Sequence, residues 1–153
     1  MIAWFMKAIC TLQLLTLVLG HTFAVAEDLT GILTVEISGL KEASGNVYIA
    51  VYDSDSTWLS DEMVLTQKVA IADALEGDLV RTELQLPLGD YALSVFYDQD
   101  DDGKLNTNFI GMPKEPIALS NNAVSKFGPP AYDDAVFRLG AQPLIQSLSM
   151  KVL

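Results

Sequence analysis

One cysteine and one histidine occur in the 153 residues, Cys10 and His21, and both fall in a segment expected to be removed. Lys7 closes a short basic region, Ala8 to Gly20 is apolar, and Ala24-Val25-Ala26 reads as a small-x-small cleavage site before Glu27. Residues 1–26 therefore read as a signal peptide, with an apolar core too short for a comfortable transmembrane span. Beyond it the chain has no thiol and no imidazole. That excludes a disulfide, a cysteine nucleophile, a Ser-His-Asp triad, and zinc or copper held by His or Cys. Cationic groups are scarce as well, with 9 Lys and Arg against 20 Asp and Glu, a net charge of −11. All the acidic residues lie beyond residue 26, whereas Lys7 does not, so the exported part would be more acidic still. No basic patch awaits phosphates, which makes nucleic acid and anionic lipid poor partners and bound cations favourable ones. A periplasmic or secreted location follows, with no membrane insertion once the leader is gone.

Helical periodicity is missing too, apart from one turn near Asp73 to Gly77. What is there has period two. Leu33, Val35 and Ile37 alternate with polar neighbours, as do Val47, Ile49 and Val51. Met63 to Ala72 offers a less regular third strand. Val80 to Leu86 and Tyr91 to Tyr97 flank a Pro87-Leu88-Gly89-Asp90 turn, a hairpin signal. Ala135–Leu139 and Gln146–Val152 close the pattern. About seven short strands predict one all-β domain over residues 27–153, a single antiparallel β-sandwich of transthyretin-like or immunoglobulin-like type.

The exception runs from Asp98 to Asp134, far longer than the dozen or so structureless residues that a compact domain accommodates without cause. It opens with Asp98-Gln99-Asp100-Asp101-Asp102-Gly103-Lys104-Leu105-Asn106. Alternate aspartates at 98, 100 and 102, a glycine for the sharp turn, the Lys104 carbonyl and the Asn106 side chain are the oxygens in the order a calcium loop needs. Asp101 falls outside the alternating set. The twelfth position, where such a loop places a bidentate carboxylate, is Phe109, so the missing ligand must come from Glu115, Asp133 or Asp134. The bland alternative is an acidic turn satisfied by water and backbone amides. Paired carboxylates such as Glu115 with Asp100 or Asp133 also raise a glycoside-type hydrolase, though nothing supplies the dry pocket that a general acid needs. Trp58, Asn121, Asn122 and Tyr132 are candidates for contact with an unknown protein or carbohydrate. The competing reading makes the aromatics core residues and Ser120-Asn121-Asn122 a hydrogen-bonded turn.

The order Leu-Pro-x-Gly-x-Tyr-Ala, Asp-x-Asp-x-Asp-Gly-Lys-Leu-Asn-Thr-Asn-Phe-x-Gly-x-Pro-Lys-Glu, Ser-Asn-Asn, Gly-Pro-Pro and Asp-Asp-Ala-x-Phe resembles the exported bacterial domain of unknown function 2141. The likeness extends over Leu29 to Leu153 and is most specific between Asp98 and Glu115. It implies a small secreted β-sandwich with no established activity. Pro116-Ile117-Ala118-Leu119 departs from the glycine- and aromatic-containing stretch that the family often has before Ser-Asn-Asn. The combined expectation is an exported, non-catalytic binding or structural module with calcium organising its long loop.

Overall fold

Alternating side chains set the strands. The computed structural model describes residues 29–40, 44–125 and 127–152, and the expected leader lies outside them. The elements in chain order are β1 (Thr30–Ser38), β2 (Asn46–Tyr52), β3 (Leu65–Ala70), a helical turn α1 (Ile71–Ala74), β4 (Leu75–Glu76), β5 (Leu79–Pro87) and β6 (Gly89–Asp98). They continue with β7 (Ile117–Leu119), a 3-10 turn (Ser120–Asn122), a helical turn α2 (Tyr132–Ala135), β8 (Phe137–Leu139) and β9 (Leu144–Ser149).

One sheet has the order β4-β5-β1-β9 and the other β3-β2-β6-β7, with β8 on the first residues of β6. The fold is the expected all-β sandwich, with two short strands more than the pattern suggested. β4 is only two residues long, and β7 lies in the stretch expected to be structureless. Ile117-Ala118-Leu119 carries no polar alternation. Ala118 nevertheless joins the core while Ile117 pairs with Phe96 across the ladder. Among the described residues all but one of the strand pairings are antiparallel. The exception is β9 beside β1, with Leu33 opposite Leu144 and Ile37 opposite Leu148.

Leu33, Val35 and Ile37 from β1 meet Val47, Ile49 and Val51 from β2 in one buried cluster with Leu93 and Val95. Each such side chain contributes about 1.5–3 kcal/mol on burial. The outward residues of the second sheet are less uniform. Tyr48 stacks on Phe96 at 5.0 Å, the next pair is Ala50 with Ser94, and then comes Tyr52 opposite Ala92. Small residues between large aromatics leave a notch in that face. Among the described residues no helix is long and apolar enough to cross a membrane.

Candidate metal centre

β6 ends on Asp98, and the turn that follows folds back over it. Asp98 is only 1 % exposed. Its Oδ2 accepts the Gly103 N–H at 3.0 Å, which closes the turn. Gly103 has φ +76°, a conformation that costs most residues about 1–2 kcal/mol. A Cβ there would also stand 3.4 Å from the Tyr48 hydroxyl. The turn therefore calls for glycine, and the aromatic face lies at contact distance beneath it.

Closure brings carboxylate oxygens of Asp98, Asp100 and Asp102 to within 4.8 Å of one another. Like charges at this spacing repel, and none of the three forms an ion pair with a lysine or arginine among the described residues. Lys68 instead pairs with Asp101 at 3.5 Å, and Asn46 Nδ2 donates to the same carboxylate at 2.8 Å. Asp101 accordingly stands apart from the other three aspartates, as its position in the alternation implied. Asn106 Nδ2 donates to Asp100 Oδ2 at 2.9 Å and to Asp102 Oδ2 at 3.4 Å. Rotating that amide would present its oxygen to the same point, since the two ends of the group have nearly equal shape. Lys104 lies in the loop with its N–H held by Asp102 Oδ1 at 2.8 Å. One group in this arrangement is unsatisfied. Asp98 Oδ1 is buried and has no hydrogen-bond partner among the described residues. Stranding a buried carboxylate oxygen costs on the order of 1–3 kcal/mol or more, so the position calls for a donor or a cation.

Glu115 has a part that its expected role as a metal ligand did not include. It is 4 % exposed, and its Oε1 accepts the Gln99 N–H at 2.8 Å while Oε2 accepts the Asn106 N–H at 2.9 Å. One side chain therefore joins the start and the end of the acidic turn, and it stands outside the three-carboxylate group. Asp133 and Asp134 do not reach the group either. They belong to α2, which packs with Ala92, roughly 20 Å from Asp98 at about 3.3 Å per strand residue. Past the loop, Thr107 bridges Pro113, and Asn108 Oδ1 accepts from both Ile110 and Met112. This organised tip leaves Phe109 98 % exposed, far from a ligand position.

The four candidates for partner contact are engaged within the domain. Trp58 Nε1 donates to the Pro130 carbonyl at 2.9 Å, and its ring meets Tyr52 and Tyr132 edge-on at 5.2 and 6.0 Å. Tyr132 is buried in that small cluster, and its hydroxyl has no partner among the described residues. Burial, with help from Asp53 and other nearby carboxylates, raises its pKa above the usual tyrosine value. Asn121 donates to the Val136 carbonyl, and Asn122 both donates to the Ser147 carbonyl and accepts the Ser149 N–H. Ser120 Oγ accepts from Leu93 and donates to the Ala135 carbonyl at 2.6 Å. The Ser-Asn-Asn triplet thereby stitches β6, α2 and the edge of β9 together. Both asparagines take positive φ, which this residue tolerates better than most.

Residues 35–146 match the family described as "Uncharacterized protein conserved in bacteria (DUF2141)". No curated protein matches the chain. Among solved structures it is similar to a leucine-rich repeat protein from Bacteroides thetaiotaomicron VPI-5482, with a TM-score of 0.42 and 11% identity. That likeness covers 80% of this chain but only 12% of the other protein.

Proposed function

The chain belongs to this bacterial family, and we propose that it is an exported, non-catalytic binding module whose acidic loop is organised by calcium. The observation that carries this reading is the buried, unpartnered Oδ1 of Asp98 inside a cluster of three carboxylates. An all-oxygen donor set on a flexible turn suits calcium, which takes six to eight oxygens at about 2.3–2.6 Å. Magnesium demands a tighter octahedron and keeps more of its water. Asp98, Asp100 and Asp102 would supply the charge, with the Lys104 carbonyl and a rotated Asn106 amide as neutral ligands. Glu115 would hold the two ends of the turn in register rather than bind the ion.

The leader-like first 26 residues support export, and millimolar calcium outside a cell would keep such a site occupied. A structural role for the ion follows. The ion neutralises the turn and fixes the segment from Gly103 to Pro113 above the second sheet. Catalysis is not part of the proposal, because both Glu115 oxygens are engaged by backbone amides and no thiol or imidazole exists beyond residue 26.

Isothermal titration with calcium chloride tests the assignment. The wild type and Asp101→Asn are expected to bind one calcium ion, whereas Asp98→Asn and Asp100→Asn are expected to lose at least tenfold in affinity. Equal losses in Asp101→Asn and Asp100→Asn would contradict the assignment, as would a wild type that produces no binding heat.

A further inference from the structure

The notch in the second sheet opens into a cleft of about 1070 Å³. Its floor is the outward face of β2 and β6, where Ala50 and Ser94 are small between Tyr48–Phe96 on one side and Tyr52 on the other. Leu105, Ile110 and Met112 form one wall, and Leu59 and Met63 another. Ile110 is mostly exposed, as are Phe109 and Phe127 at the neighbouring loop tips. Clustered apolar exposure of this kind marks an interaction site.

The walls limit what could occupy it. Backbone groups of β2 are taken up by β3 on one side and β6 on the other, so the floor offers side chains only. An extended peptide lying there would leave its own amides unpaired against apolar surface, at about 1–3 kcal/mol each. The hydroxyls of the lining are engaged within the domain, Tyr52 with Ser94 and Ser60, Ser60 with Thr57, and Thr66 with Met63, so a sugar would meet few free partners. An alkyl chain carries no groups to satisfy, and the small Ala50 and Ser94 leave room for one between the aromatic pairs. Charge then selects the head group. The carboxylate of Asp61 lines the cleft and has no ion pair among the described residues. Lys104, the cation of the lining, has no ion pair among the described residues either, but it shares its loop with Asp100, Asp101 and Asp102 in a chain of net charge −11. We propose that this cleft binds single-chain amphiphiles with a cationic head, the chain lying over Ala50 and Ser94 and the head near Asp61.

The test is calorimetric titration of the full protein, in calcium buffer, with octyl-, decyl- and dodecyltrimethylammonium below their micelle concentrations. Burying the chain predicts about a fourfold gain per added methylene, roughly fifteenfold per step of the series. Ser94→Trp, which fills the notch from a solvent-facing position, should abolish binding. Ala50→Leu should reduce it, with circular dichroism and the calcium affinity confirming that each variant is folded. Decyl sulfate should bind at least tenfold more weakly than decyltrimethylammonium, and Asp61→Asn should narrow that gap. Affinity independent of chain length, or unchanged in folded Ser94→Trp, would overturn the site. Equal affinity for both head groups would overturn the charge assignment. Self-association that buries this face, seen as a dimer in ligand-free protein, would overturn it as well.

Discussion

Glu115 offers the sharpest mechanical prediction. It accepts backbone N–H groups from Gln99 and Asn106, so replacing it removes the tie across the acidic turn. Hydrogen bonds to a charged acceptor contribute about 1.5–3 kcal/mol each. Glu115→Ala removes the acceptor of both amides in a part-buried setting, and even the lower figure gives a loss of about 3 kcal/mol. For a domain of this size that corresponds to a fall in midpoint of roughly 12 °C. Glu115→Gln keeps one acceptor but turns an NH2 toward the other amide, so it should fall between the wild type and the alanine variant. Urea unfolding measures the loss, and amide hydrogen exchange localises it. Protection at Gln99 and Asn106 should collapse while Leu93 and Val95 follow global unfolding. A Glu115→Ala protein with wild-type stability and protected amides at both positions would refute the reasoning. A Glu115→Gln protein that keeps its full stability would do the same and would reopen a chemical role for the carboxyl group.

Gly103→Ala should cost about 1–2 kcal/mol from its positive φ and should weaken calcium binding in the same titration that measures the wild type. Ser120→Ala removes a fully buried hydroxyl that serves both Leu93 and Ala135; urea unfolding should register a loss of about 2 kcal/mol or more. Tyr132→Phe should run the other way, by about 1 kcal/mol, because it deletes a buried hydroxyl that has no partner among the described residues. The raised pKa of Tyr132 means that the folded state holds this proton more tightly than the unfolded chain. Its contribution is therefore complete below about pH 10, the unfolded value, and is lost as pH rises through the folded one. Tyr132→Phe should accordingly flatten that alkaline decline in thermal midpoint.

The strands that carry the core were legible because each buries one face, and period-two alternation is the trace that leaves in the sequence. β7 was not, since Ile117-Ala118-Leu119 is apolar on both faces and so leaves no period-two alternation in the sequence. The parallel pairing of β9 with β1 has no local trace at all, because the partners are more than a hundred residues apart. Within the acidic turn, Asp98, Asp100 and Asp102 were readable from spacing, as was the separation of Asp101. Glu115 looked like a ligand because ligand and loop-closing carboxylates carry the same chemistry in one dimension. Only the amide donors of Gln99 and Asn106 distinguish them. Asn121 and Asn122 are likewise ambiguous until their carbonyl partners on β9 and beyond α2 are known.

Thermal unfolding in EDTA, in calcium and in magnesium, beside the Asp100→Asn/Asp102→Asn double variant, tests the calcium-organised loop most directly. At a calcium concentration 100 times the dissociation constant, linkage gives about 2.7 kcal/mol, a midpoint rise on the order of 10 °C. The account predicts that calcium produces this rise, that magnesium falls well short of it, and that the double variant abolishes it. Coincident curves for the wild type in all three buffers would contradict it.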